Sequence, residues 1–133
     1  MMKKVLWGLS LLISSVFAEI EWEDYDSAFS IAKDENKVVM IMFSSPTCKV
    51  CNYMKSKVYT NEGVQEYLDD NFVSIEIDVN DNPNPSKFKL LGTPNYFFLD
   101  AKGKLIQPRM VGGAKAKSFL GRLKSVIKQA KAH

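Results

Sequence analysis

Cys48 and Cys51 are the only cysteines of the chain, spaced Cys-x-x-Cys shortly after the apolar run Val38–Phe43. Beyond Cys51 the residues follow a helical pattern, so the stretch predicts a strand that delivers two thiols onto the first turn of a helix. A helix N-terminus carries partial positive charge and free N–H groups, which favours the thiolate of Cys48 over the thiol. With two intervening residues, the second sulfur can attack a mixed disulfide formed on the first, the requirement for thiol–disulfide exchange. Two blander uses are open to the pair. As a structural staple it would enclose only two residues and so constrain the unfolded chain little. As half of a metal site it lacks partners, because zinc takes about four ligands and the sole histidine, His133, is the last residue. No metal and no cofactor is expected.

The elements that must position these thiols fit one domain with one core, in a chain of 133 residues. Hydrophobic residues make up 46% and charged residues 25%, an ordinary globular balance. Net charge is +3, with Lys3 and Lys4 contributing two of the positive charges, so nothing in the balance points to nucleic acid. Residues 1–18 read as a secretory signal peptide: Lys3 and Lys4 as a basic start, Val5 to Ile13 as an apolar centre, and Val16-Phe17-Ala18 before a cleavage point. An uncleaved anchor is the alternative, disfavoured because a spanning helix needs roughly 20 apolar residues. The domain then occupies residues 19–133 of an exported, periplasmic protein.

Along that domain, Ile20 and Trp22 alternate with acids and predict a short edge strand, and Asp24 or Asp26 can cap a helix burying Ala28, Phe29, Ile31 and Ala32. Val38–Phe43 has no polar residue and predicts a central strand covered on both faces. Val50, Met54 and Val58 mark the buried face of the next helix, with Lys49, Lys55 and Lys57 toward solvent. A further helix over 61–70 starts at a capping Asn61. Residues 72–79 predict a second strand, with Ile75, Ile77 and Val79 on one face and Ser74, Glu76 and Asp78 on the other. A Pro/Asn loop, a short helix over 86–91, a hairpin over 95–107 and a helix from Ala114 to Ala130 complete the chain. The order β-α-β-α-β-α-β-β-α is that of an α/β protein with a mixed central sheet flanked by helices on both faces. Cys48 then stands at the carboxyl end of the first central strand, where open α/β sheets place their chemistry.

This order, the Cys-x-x-Cys opening a helix and Gly92-Thr93-Pro94 about 40 residues later resemble the thioredoxin fold over nearly the whole domain. Within it, Cys48-Lys49-Val50-Cys51-Asn52 with its lysine-rich helix, Val64-Gln65, and Arg109-Met110-Val111-Gly112 before the last helix are similar to the exported thiol:disulfide interchange domains. The resemblance implies Cys48 as nucleophile and Cys51 as buried resolving cysteine. It implies Pro94 as a cis-proline beside the pair, with Thr93 and Thr47 also facing substrate and Thr93 able to hydrogen-bond a sulfur. Partners would be disulfide-containing client proteins and a membrane or periplasmic thiol donor.

Departures from thioredoxins proper bear on mechanism. Thr47 replaces the tryptophan before the first cysteine, Lys49-Val50 replaces Gly-Pro, and Met42 stands six residues before Cys48 where thioredoxins bury an acid. Glu76, on the neighbouring strand, becomes the candidate for proton transfer with Cys51. Family potentials run from about −270 mV for thioredoxin to about −120 mV for a strong oxidant, so the direction of electron flow is a separate matter. Similarity to the interchange domains favours a reductase of client disulfides. An oxidase or isomerase on the same residues, and a non-catalytic binding module with a structural disulfide, are the alternatives. The acids Glu19, Glu21, Glu23, Asp24 and Asp26 suit a solvated face. Lys102 to Lys131 holds nine Lys/Arg and no acid, which suits a solvated helix side or a docking face for an acidic partner.

Overall fold

The structure is a computed structural model that describes residues 20–132. The signal peptide expected over 1–18, together with Glu19 and His133, lies outside the described residues. A four-stranded sheet carries the fold, in the order β2-β1-β3-β4. β1 (Val38–Ser44) pairs in parallel with β2 (Phe72–Asp78) and antiparallel with β3 (Asn95–Leu99), and β3 pairs antiparallel with β4 (Leu105–Val111). β1 is buried along its whole length, as an uninterrupted apolar run between two strands must be.

Alternate residues of β1 serve two different layers, because successive side chains of a strand leave opposite faces. Val39, Ile41 and Phe43 join Ala28 and Ala32 of helix α1 (Tyr25–Glu35), Ile75 and Ile77 of β2, and Phe88 and Phe97. Val38, Met40 and Met42 join the cysteines, Met54, Val58, Tyr59, Tyr96 and the inner sides of the remaining helices. Those helices are α2 (Lys49–Tyr53), α3 (Glu62–Asn71) and α4 (Ala116–Lys131). No helix among the described residues is long and apolar enough to cross a membrane.

Three elements depart from the sequence expectations. The edge strand at Ile20–Trp22 shrinks to one bridge, Trp22 to Ser74. After the Glu23 amide bonds the Ser74 carbonyl at 2.8 Å, Asp24 begins the α1 cap by accepting from the Ser27 hydroxyl at 2.7 Å, and the chain turns away. The helix expected over 86–91 is a turn. Asn84 caps a single turn, its side chain accepting from the Lys87 amide at 3.1 Å and its carbonyl from the Phe88 amide at 2.9 Å, but the Asn82 side-chain amide donates to the Phe88 carbonyl at 2.9 Å and takes the acceptor a further turn would use. Phe88 is fully buried, so the turn anchors itself by one aromatic side chain instead of a helical face. The helix after Cys51 is not uniform either: Met54–Val58 forms a π-turn, with the Tyr59 amide reaching back to the Met54 carbonyl at 2.8 Å. Asn61, by contrast, caps α3 as its type and position suggest, accepting from the Val64 amide at 3.1 Å.

Candidate active site

Cys48 and Cys51 are joined as a disulfide, with Cα atoms 5.2 Å apart. Cys48 is the N-cap of α2 and extended in backbone conformation, so its Sγ turns back over the helix end and accepts the Cys51 amide at 3.1 Å. This is the donor that reaches the outer sulfur; among the described residues the Thr93 hydroxyl and the Glu76 carboxylate hydrogen-bond neither sulfur. Cys48 retains 9% of its surface and Cys51 1%. The two sulfurs are therefore unequal: one lies at the edge of solvent on a helix N-terminus, the other beneath it in the core. A thiolate formed at the first position would face the amides of an open helix end, the environment that lowers a cysteine's pKa.

Strand topology brings the other parts of the site to the same end of the sheet. Phe43 pairs with Asn95, so Thr93 and Pro94, just before β3, come to lie beside the segment that leads from β1 to Cys48. The Thr93–Pro94 peptide bond is cis. Pro94 is buried and Thr93 half-buried, while Thr47 is exposed. The Pro94 carbonyl accepts the Gly112 amide at 2.7 Å, and buried Asn95 accepts the Leu91 amide at 3.0 Å, which ties the loop before β3 down. Gly112 adopts a φ of 86°, a region that suits glycine. Gly113 is there for another reason: a Cβ on it would come within 2.5 Å of Val50 Cγ1 and 3.4 Å of Met54 Sδ. The loop after β4 thus closes directly on the helix that carries the cysteines. Val50, Leu91 and Val111 remain exposed at this end of the molecule.

Beneath the pair, Met42 occupies the place of a buried acid, and polar groups the sequence did not single out gather around it. The Tyr59 hydroxyl donates to Met42 Sδ at 3.0 Å and is hydrogen-bonded to the Tyr96 hydroxyl. Burial pushes Tyr59 well above the ordinary tyrosine range, with the neighbouring Tyr96 and the charge of Glu76 adding to it. Tyr96 is raised too, chiefly by burial, partly offset by its hydrogen bond with Tyr59. Both hydroxyls therefore stay protonated and act as dipoles, not as charges. Glu76 stands opposite Met42 in the β1–β2 register, keeps about a quarter of its side chain exposed, and is ion-paired with Lys55. Lys55, expected to face solvent, instead reaches across from the π-turn to β2. A π-turn inserts an extra residue into the helical hydrogen-bond ring and so re-aims the side chains that follow; no periodicity in the sequence announces it. Among the described residues no three His, Cys, Asp or Glu side chains gather as they would around a metal ion.

Comparison with known proteins agrees with this architecture. The family model described as a thioredoxin-like domain matches residues 25–127. The chain is 30% identical over 114 residues to the thiol:disulfide interchange protein DsbD of Ralstonia nicotianae, covering 82% of this chain and 19% of that protein. It is 22% identical over 124 residues to the disulfide bond reductase DsbH of Chlamydia pneumoniae, covering 84% and 75%. Among solved structures, a thioredoxin from Thermus thermophilus superposes with a TM-score of 0.72 at 26% identity, over 83% of this chain and 88% of that one. The chain spans only about a tenth of the length of the first curated relatives it matches. With the family model matched over residues 25–127, and a Cys-x-x-Cys disulfide set on a helix N-terminus of this fold, the chain belongs to the thioredoxin-like domain family.

Proposed function

We propose that the protein is an exported, periplasmic reductase of client-protein disulfides. The observation that carries this is the inequality of the two sulfurs, Cys48 at the solvent edge on a helix N-terminus and Cys51 buried below it. In the dithiol form, the Cys48 thiolate attacks one sulfur of a client disulfide. A mixed disulfide forms and the client's other sulfur leaves as a thiolate. Cys51 then attacks Cys48 Sγ, the client departs with both its thiols, and the Cys48–Cys51 disulfide is left behind. Two electrons have passed from protein to client, and a thiol donor must return them before the next cycle.

Cys51 has to lose its proton for the second step. In this reading Glu76 accepts it, supported by its place on β2 opposite Met42 and by its ion pair with Lys55, which holds the carboxylate in place. Thr47, Thr93 and Pro94 offer the client a surface beside Cys48, bordered by exposed Val50, Leu91 and Val111. The direction toward reduction draws on the name of the Chlamydia pneumoniae relative, a disulfide bond reductase. Export draws on the basic and apolar N-terminal stretch.

The test is insulin-disulfide reduction with a chemical donor. Cys48→Ser is expected to abolish turnover, and Cys51→Ser to accumulate mixed disulfides with clients. Turnover retained by Cys48→Ser would overturn the mechanism. A potential for the couple near the about −120 mV of strong oxidants, instead of near about −270 mV, would reverse the direction.

A further inference from the structure

The basic C-terminal third is not absorbed by the redox site, and part of it converges elsewhere. A cleft of about 720 Å³ lies at the other end of the sheet, where β1 begins and α4 ends. It is a strand length, roughly 20 Å, from the end that carries Cys48. Its floor is apolar, made by the edges of the nearly buried Val38, Ile106 and Ile127 with half-buried Leu105 and an Ala130 too small to fill the space beside them; Asn36 and Asn71 also line it. Exposed Lys102, Lys104 and Lys131 stand around it.

The charges there are one-sided. Lys37 is already engaged, donating to the Asp69 carbonyl at 2.7 Å and paired with Glu35 at 3.2 Å. Asp100, the acid of the lining, has one carboxylate oxygen taken by the amides of Lys102 and Lys104, each at 2.9 Å, because it shapes the turn between β3 and β4. The ammonium groups of Lys102, Lys104 and Lys131 have no acidic partner among the described residues. The cleft therefore sets an apolar floor beside a rim on which, among the described residues, lysines outnumber the single Asp100 carboxylate. Its volume is that of sites for single small molecules, which run from about 300 to about 1,000 Å³.

We propose that this cleft is a binding site for a small anionic amphiphile, an alkyl carboxylate whose chain lies along Val38, Ile106 and Ile127 and whose head meets the lysines. The ligand's apolar body would cover the floor, and its charge would meet the three lysines that have no acidic partner among the described residues.

The experiment titrates the full chain with a dansyl-labelled undecanoate and then displaces the probe with dodecanoate kept below its micellar concentration. Saturable binding of one equivalent and full displacement are expected. Lys104→Glu with Lys131→Glu should weaken binding about tenfold, two surface charge contacts being lost. Ala130→Phe, which fills the space, should abolish it. Both variants should reduce insulin disulfides at the unaltered rate, since nothing in the cleft touches the cysteine end. A second arm offers vesicles of anionic lipid, to tell a free amphiphile from a membrane surface. Absence of saturable binding, equal affinity in the charge-reversed variant, or binding to vesicles without binding to free dodecanoate would each overturn the site. If Ala130→Phe unfolds, the charge-reversed pair still decides the matter.

Discussion

Alternate residues of β1 go to opposite faces of the sheet, and the two faces have been put to different uses. Val39, Ile41 and Phe43 point into a layer built of hydrocarbon and aromatic rings, where Phe88 meets Phe97 at 5.1 Å and Phe43 at 5.6 Å between ring centroids. Met40 and Met42 point into a layer that contains the disulfide, two hydrogen-bonded tyrosine hydroxyls and, at its edge, the Glu76–Lys55 pair. The first layer can be dry because it has no chemistry to perform. The second, in the proposed cycle, must hold polar groups close to a sulfur that changes its charge. Stability and reactivity should therefore be separable by face.

Phe88→Ala tests the dry face and should have the largest effect on stability. A fully buried aromatic ring removed from among three others leaves a cavity, a loss of about 3–5 kcal/mol by denaturant unfolding. The pH midpoint for alkylation of Cys48 in the reduced protein should not move. A shifted midpoint would show the faces to be coupled.

Tyr59→Phe tests the polar face. It strands the Tyr96 hydroxyl, an expected cost of about 1–3 kcal/mol for a buried polar group without a partner. Tyr96→Phe should cost less, because Tyr59 keeps Met42 Sδ as acceptor. The double variant removes both hydroxyls together and should fall short of the sum of the two. Strict additivity in a double-mutant cycle would mean that the hydroxyls do not depend on one another.

Smaller again is Gly113→Val at the rim of the polar face. Its side chain must push against Val50 and Met54, but Val50 is half exposed and can turn aside, so about 1 kcal/mol is expected. The rate of exchange should suffer more than stability, since Val50 lies between the two cysteines. Unchanged insulin reduction by a folded Gly113→Val would show that this close approach has no part in positioning α2.

How far each face was legible in the sequence follows the same division. The dry face announces itself, because Val38–Phe43 has no polar residue and the alternation of Ile75 and Ile77 has a simple period. The cysteine spacing and the Asn61 cap are equally local signals, each readable within four residues. What the polar face holds is not local. Tyr59 meets Tyr96 across 37 positions of chain, and nothing in either neighbourhood says so. Lys55 looks like one more solvent-facing lysine until the π-turn aims it at Glu76. The segment 86–91 has residues that tolerate a helix. Instead the Asn82 side chain takes the Phe88 carbonyl that a further helical turn would use, a contest that helical periodicity does not register.

The tyrosine pair also gives the faces different responses to alkali. Burial raises Tyr59 and Tyr96 above the tyrosine value of about 10 that the unfolded chain has. Above that pH the unfolded chain has released its phenolic protons while the folded protein still holds them, so unfolding releases protons and stability falls as pH rises. Below about pH 10 the contribution is fully present; it is lost progressively toward the raised folded values. Tyr25 and Tyr67 are raised in the same direction, but both are only partly buried and should add less. Urea midpoints measured between about pH 9 and about pH 11 should thus decline steeply in the wild type and more gently in the Tyr59→Phe, Tyr96→Phe double variant. Phe88→Ala, on the other face, lowers every midpoint without altering the slope. Parallel slopes in wild type and double variant would mean that alkaline unfolding is governed elsewhere, and that the hydroxyl pair is not the group whose protons the fold retains.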